Sequence, residues 1–312
     1  MKKVVIFGGG TGLSYLLNSL KTLNIELVVV VATTDNGGSS GELRRNYNIP
    51  APGDLRRVVI ALSEREDIDS LMNFRFDQQL NYHTVGNLVL AALVDKYKTI
   101  DVAVNKYAEL LDVKEKIFPI SNEHIQLNAL LEDGTKITGE QEMSSHKQQI
   151  KKVYYDQDIN ANQNIIKELK EADYVILSSG SLYTSILSNL VFKNILDVLP
   201  DIQAKLIYIC NLMTEDGETN NFLVSDHIRV IEEHFNNKEI IDYVLVNKNF
   251  NYPKNIYQNY ISEEADLVLL DKSNIRQGIQ IVDNDYLLIS KDNHIRHNTD
   301  LVTKDLKDII GC

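Results

Sequence analysis

The 312-residue chain has no tryptophan and only two cysteines. No apolar run approaches the roughly 20 residues that a membrane-spanning helix needs. Each absence removes a class of protein. Cys210 closes an apolar run and Cys312 ends the chain, which leaves no basis for a disulfide scaffold or a cysteine zinc site. Cys210 instead reads as a small buried hydrophobe. The seven histidines are scattered, no HExxH motif occurs, and no serine sits in a nucleophile elbow. Basic residues are short as well: 32 Lys and Arg face 44 Asp and Glu, for a net charge of −12. That balance disfavours broad binding to nucleic acid or to an anionic membrane, where affinity comes from neutralising phosphates. The first residues, "MKKVVIFGGG", run directly into an apolar stretch and a glycine turn, too brief for a signal peptide. The expectation is a cytoplasmic chain with no nucleic-acid partner and no membrane insertion.

Against these absences stand two glycine-rich turns, Gly8–Gly12 and Gly37–Gly41, each behind a continuous β-branched run. The runs Val4–Phe7 and Glu26–Thr33 do not alternate, as expected of strands buried on both faces of a parallel sheet. Between them Leu16, Leu17, Leu20 and Leu23 recur at helical spacing, giving a βαβ opening. Helices are predicted in "PGDLRRVVIALSE", with Asp54 as N-cap, in "TVGNLVLAALVDKY" and in "DVAVNKYAELLD". The segment from about 120 to 156 differs: it alternates around Asp133–Gly134, a hairpin signal, and "KKVYYDQDI" reads as another strand. Helices and buried strands then resume through "YVILSSG", "KLIYICNLM" and "YVLVN". Beyond about residue 251 the apolar runs shorten, as in "ADLVLLD" and "YLLIS", before a closing helix in "DLVTKDLKDII". The fold class that follows is α/β: one doubly wound, mostly parallel Rossmann-like domain over 1–312, with a small antiparallel hairpin insertion.

Ligands of such folds collect beyond the carboxyl ends of the strands, so the residues after each strand are the candidates. Gly9, Gly10 and Gly12 let backbone approach an anion, a helix N-terminus supplies free N–H groups, and Thr11 adds a hydroxyl. Leu13 spoils the dinucleotide fingerprint and no lysine completes a Walker pattern. After the second strand, Asp35 stands where a Rossmann fold keeps its ribose-binding acid. Gly37, Gly38, Ser39 and Ser40 then form a second anion nest, with Arg44 and Arg45 one turn on. Three readings stay open there: a diphosphate, a 2′-phosphate held by the arginines, or a divalent cation such as Mg²⁺ on Asp35. Asp54 and Arg56 in "PAPGDLRR" are a further acid–arginine set, with Arg56 placed for a bidentate bond to Asp54 or to a phosphate. His83 and Asn87 in "HTVGNL" share one helical turn. Ser181, Leu182, Tyr183 and Thr184 begin another helix, and Asn211 follows a strand.

Together "VVIFGGGTGLSYLL", "TTDNGGSSGELRR", "PAPGDLRR", "HTVGNLVLAAL", "GSLYTSILSNL" and "CNLMTEDGET" resemble the YvcK-type gluconeogenesis factor family, a branch of the CofD-like (2-phospho-L-lactate transferase) superfamily. The resemblance runs from about Val4 to Asn247. It implies a protein required for cell shape and wall synthesis on gluconeogenic carbon, binding a UDP-sugar such as UDP-N-acetylglucosamine. The enzymatic branch implies the alternative, a Mg²⁺-dependent transferase acting on a nucleotide-activated substrate. By the same resemblance Gly10, Thr11, Gly12 and Gly37–Ser40 line a diphosphate. Asp54, Arg56, His83, Asn87, Ser181, Tyr183, Thr184 and Asn211 complete the cleft. The implied partners are the UDP-sugar, cell-wall synthesis proteins and a second copy of the chain. Many relatives carry Asp-Asp where this chain has Asp35–Asn36, and a neutral Asn is a weaker Mg²⁺ ligand.

Overall fold

The computed structural model describes residues 1–250, 253–262 and 264–312; the boundary drawn at Asn251 falls outside them. The first third of the chain forms β1 (Lys2–Gly8), α1 (Gly10–Leu20), β2 (Ile25–Val31), α2 (Gly38–Tyr47), α3 (Gly53–Leu62), α4 (Glu66–Asn73), α5 (Val85–Tyr97) and α6 (Ile100–Leu110). Next come β3 (Lys116–Pro119), β4 (Asn128–Leu131), β5 (Lys136–Thr138), α7 (Glu140–Ser145), β6 (Ile150–Tyr154), α8 (Gln163–Glu171) and β7 (Tyr174–Leu177). A π-helical turn, Leu182–Leu187, leads through α9 (Ser188–Leu190) and α10 (Lys193–Val198) to β8 (Lys205–Ile209), α11 (Val224–His234) and β9 (Tyr243–Asn247). The last part holds α12 (Lys254–Ser262), β10 (Gln280–Asn284), β11 (Leu287–Ile289), β12 (Ile295–His297) and α13 (Thr299–Ile310).

Seven strands make the main sheet in the order β10-β9-β8-β7-β1-β2-β3, and every pairing in it is parallel. The continuous apolar runs have a simple cause. Val5, Phe7, Val28 and Val30 point into one helical layer, while Val4, Ile6, Val29 and Val31 point into the other. With both faces covered, neither set can be polar. From β1 the chain steps outward through β2 to β3, then returns to the opposite side of β1 as β7 and steps outward to β10. The reversal opens a crevice beyond the carboxyl ends of β1 and β7, the place where doubly wound folds bind ligands.

The 120–156 segment forms a three-stranded antiparallel sheet, β5-β4-β6, rather than a lone hairpin. Its Leu127, Ala129, Leu131, Ile137, Met143, Ile150 and Val153 are buried in the same core as Val5 and Phe7. Helix α7, between β5 and β6, reaches the loop after β2: the Gln141 N–H donates to the Asn36 side chain at 2.9 Å. "ADLVLLD" is not a strand; only Leu267 makes an isolated bridge, to Met213, and Ala265, Leu267 and Val268 are buried from irregular backbone. No helix among the described residues is long and apolar enough to cross a membrane.

Candidate functional site

The helices differ in how they begin. Thr84, Thr99, Asn162 and Asn298 cap α5, α6, α8 and α13 with their side chains. By contrast, α1 and α2 start from Gly9 and Gly37, with no side-chain cap and no acid in the first turn. Such helices leave N–H donors and the positive dipole end uncompensated by their own residues, which suits an anion. Gly10 at φ +65° and Gly38 at φ +46° hold left-handed backbone that other residues rarely adopt.

Asp54 stands between the two turns. It is not the N-cap of α3, since Pro52 holds that position; the acid lies inside the first turn. Its carboxylate reaches back to accept the Gly10 N–H at 2.6 Å and the Arg57 guanidinium at 2.8 Å. Arg57, not Arg56, is therefore its ion partner. Arg56 is buried and donates to Asn73 at 2.5 Å. Burial holds the Asp54 carboxyl above its ordinary range, with Arg57 and the Gly10 amide opposing the shift. An internal carboxylate thus occupies an amide of the anion nest.

Asp35 accepts the Gly37 N–H at 2.8 Å. Ser40 is buried against Gly53. Ser39 lies 2.7 Å from His83 Nδ1 and accepts the Asn87 carboxamide at 3.3 Å, so these three meet at the start of α2. Of the adjacent arginines, Arg45 is exposed, reaching only the Asn36 carbonyl at 3.4 Å. Arg44 is the buried one: it donates to the Thr34 carbonyl at 2.6 Å and also to that of Ile125. Among the described residues no group of three or more His, Cys, Asp or Glu is placed to hold a metal ion.

The crevice between β1, β7 and β8 holds a cavity of about 460 Å³, within the range of small-molecule sites. Thr11 and Gly12 line it, with Ser179 and Gly180 after β7, Asn211, Thr214, Glu215, Asp216 and Glu218 after β8, Ser144 from α7, and Tyr260, Arg296, His297 and Thr299 from the last part of the chain. Of the sequence candidates, Thr11, Gly12 and Asn211 face this space, whereas Gly37–Ser40, His83 and Asn87 gather beside it at α2. Asn211 donates to the Gly180 carbonyl at 2.9 Å while its own Oδ1 is buried without a partner among the described residues. Ser181 donates to Glu218 and caps the next turn by accepting the Thr184 N–H at 3.1 Å. Leu182 and Tyr183 are corrections: both are core residues, and the Tyr183 hydroxyl donates to the Ile150 carbonyl at 2.8 Å.

The acids of this region escaped sequence reasoning. Glu140 in α7 is held well above the usual carboxylate range by burial and by Asp35, Asp54 and Glu218. Glu215 and Glu218 act as a pair: burial, reinforced at Glu215 by Glu218, pushes them up to about 8 and about 7, with Ser181 opposing. The signal available was "TEDGET" after a buried strand; Glu140 gave none, since it arrives on α7, between two strands of the separate antiparallel sheet. His297 is pushed down to about 4 by burial, so it is neutral at physiological pH and lies 3.1 Å from the Cys210 carbonyl.

The glutamate pair makes stability depend on pH. A carboxyl that titrates higher folded than unfolded binds more protons when folded, so raising the pH from about 4.5 to about 8 weakens the fold. The melting temperature is expected to fall between pH 5.5 and pH 8.5, and Glu218→Gln is expected to flatten that fall. Thermal melts of both proteins across the range check this; equal slopes would contradict it.

The family model described as 2-phospho-L-lactate transferase CofD matches residues 4–287. The chain belongs to the CofD family. It is 37% identical to the gluconeogenesis factor of Bacillus subtilis (strain 168), over 99% of this chain and 98% of that one. With the gluconeogenesis factor of Halalkalibacterium halodurans it shares 36% identity, over 97% and 95% of the two chains. The crystal structure of a UPF0052 family member from Bacillus halodurans superposes with a TM-score of 0.93 at 35% identity, covering 98% of this chain and 99% of that one. The sheet order and the cavity at its reversal thus occur in a CofD-family chain that stands close to the gluconeogenesis factors.

Proposed function

We propose that the cavity binds a nucleoside-diphosphate sugar, UDP-N-acetylglucosamine. In this reading the chain is a cytoplasmic binding protein that supports cell shape and wall synthesis on gluconeogenic carbon by contact with wall-synthesis proteins. One observation carries the proposal: the N-terminus of α1, which no side chain of its own caps although Asp54 takes the Gly10 N–H, presents Thr11 and Gly12 to a space of about 460 Å³ at the reversal of the sheet. The helix end suits the diphosphate, and the hydroxyl, amide and carboxyl groups of Ser179, Asn211, Thr214 and Glu215 suit a hydroxyl-rich sugar. Titration calorimetry with UDP-N-acetylglucosamine is expected to give saturable heat below millimolar ligand. No heat at millimolar ligand would contradict the proposal.

A second reading, a Mg²⁺-dependent transferase, draws on Asp35 and Asp54 beside the glycine turns. Mg²⁺ commonly takes one or two carboxylates and fills its shell with phosphate oxygens and water, and these two would supply the carboxylates. Under this reading Mg²⁺-dependent release of a nucleoside monophosphate is expected, and Asp35→Ala abolishes it. No turnover over a panel of nucleotide-activated donors would rule it out.

A further inference from the structure

A serine and a histidine meet outside the cavity. The stretch Gly37–Gly41 fits the pattern G-x-S-x-G with Ser39 at its centre, the spacing that sets a nucleophilic serine at a helix start in hydrolases. Loop 32–37 separates it from β2, so it is not the sharp strand-to-helix elbow of those enzymes. The partners are nonetheless in place. Ser39 Oγ lies 2.7 Å from His83 Nδ1 and accepts the Asn87 carboxamide at 3.3 Å. With Asn87 donating to the oxygen, the hydroxyl hydrogen is left to His83 Nδ1. That assignment puts the imidazole proton on Nε2, which faces the Glu42 carboxylate at 3.7 Å. Glu42 is itself held by the Asn81 carboxamide at 2.6 Å. Nucleophile, base and orienting acid thus stand in series. His83 is buried, while Ser39 is half-buried beside an exposed Gly38. Tyr82, immediately before His83, is held at φ +55°, a left-handed conformation costly for an aromatic residue.

We infer that Ser39 is an activated nucleophile and that this cluster is an acyl-transfer site for a carboxylic ester with an uncharged acyl group. Ser39 Oγ attacks the ester carbonyl carbon as its proton passes to His83 Nδ1. The N–H groups of Gly38, Ser39 and Ser40 precede the first intrahelical bond of α2, from Gly41 to Gly37 at 2.8 Å, and Gly37 brings no capping side chain. They are available to the oxyanion that forms. The bond to the alcohol then breaks, and His83 returns the proton to the departing alkoxide. Water repeats the sequence on the acyl-serine: it gives a proton to His83, the acyl–Oγ bond breaks, and the acid leaves as Ser39 regains its hydrogen. Asp35, which accepts the Gly37 N–H, and Glu42 disfavour an anionic substrate. Leu80 and Tyr82 flank Asn81 and are 48% and 54% exposed, offering apolar surface to the acyl group. The site stands apart from the cavity and does not depend on the nucleotide reading.

The full chain should be assayed with p-nitrophenyl acetate and, separately, treated with a fluorophosphonate, whose P–F bond an activated serine oxygen displaces with release of fluoride. Saturable release of p-nitrophenol is expected, together with a phosphonyl adduct that peptide mass mapping places on Ser39. Ser39→Ala is expected to bring release down to the buffer rate and to abolish the adduct. His83→Gln is expected to lower kcat roughly 100-fold or more, the usual contribution of a general base. Glu42 is a positioning residue, so Glu42→Gln is expected to lower kcat and leave KM unchanged, a split that a merely structural role would not produce. Melting temperatures identify any variant that fails to fold, and the adduct on the wild-type chain decides the matter without one. A fluorophosphonate that leaves Ser39 unmodified, or ester hydrolysis that persists in Ser39→Ala, overturns the proposal. Neither outcome bears on binding of UDP-N-acetylglucosamine in the cavity.

Discussion

Arg44→Ala is expected to destabilise the protein by about 3–5 kcal/mol, the cost of breaking a buried charged network and opening a cavity. The side chain is 2% exposed and sits at the seam between two parts of the fold. One guanidinium nitrogen donates to the Thr34 carbonyl beyond β2, and the other donates to the Ile125 carbonyl at the entry to the antiparallel sheet. Burial depresses its basicity, with Tyr155, Asp35 and Glu140 opposing the shift. Alanine leaves two carbonyls unpaired and empties the volume, so the sheet carrying Glu140 loses its tie to the second glycine turn. Arg44→Lys keeps a charge but cannot bridge two carbonyls in one plane, and an intermediate loss is expected. Urea unfolding followed by circular dichroism measures both; an alanine variant within about 1 kcal/mol of wild type would contradict the account.

Gly12→Ala is expected to reduce affinity for UDP-N-acetylglucosamine at least tenfold and to cost about 1–3 kcal/mol of stability, as overpacking does. A methyl at Gly12 would overlap the Ser179 carbonyl oxygen and lie 3.3 Å from its carbon. Both obstacles are backbone. Relief requires α1 to withdraw from the loop after β7, which moves the Thr11–Gly12 amides and widens the crevice they share. Gly10→Ala is the informative control. Nothing lies within 4 Å of the position a methyl would take, but φ is +65°. It pays only the left-handed penalty of roughly 1 kcal/mol. Equal loss of affinity in the two variants would mean that turn conformation, rather than the close approach of α1 to β7, governs binding.

Parts of this arrangement were legible in the sequence because one local cause fixed them. Val4–Phe7 and Leu27–Val31 had to be continuous apolar runs once both faces of the sheet were covered. The glycines at 10 and 38 had to be glycine because of backbone sign, and Gly12 because of close approach. The sheet's outer strands gave no such signal. β3 and β10 lie at its edges, and β10 is only half-buried, so Gln280–Asn284 carries no continuous apolar run. Adjacent arginines posed a different difficulty. Arg44 and Arg45, or Arg56 and Arg57, differ by about 100° around a helix, and only the tertiary partner decides which is buried and which meets Asp54. The buried acids were hidden for the same reason: Glu140 sits on α7, whose Gln141 donates to the side chain of Asn36, 105 residues earlier. The candidates also divided in space, with Thr11, Gly12 and Asn211 on the cavity and Ser39, His83 and Asn87 on a neighbouring cluster.

The claim on which the rest depends is that α1 begins at a phosphate. A crystal of the full chain soaked with UDP-N-acetylglucosamine tests it most directly. The expected result places diphosphate oxygens within hydrogen-bond distance of the Thr11 and Gly12 N–H groups, with the nucleotide running between β1 and β7. Ligand density seated only at Gly37–Ser39 and His83, or a crevice left empty at saturating ligand, would contradict it.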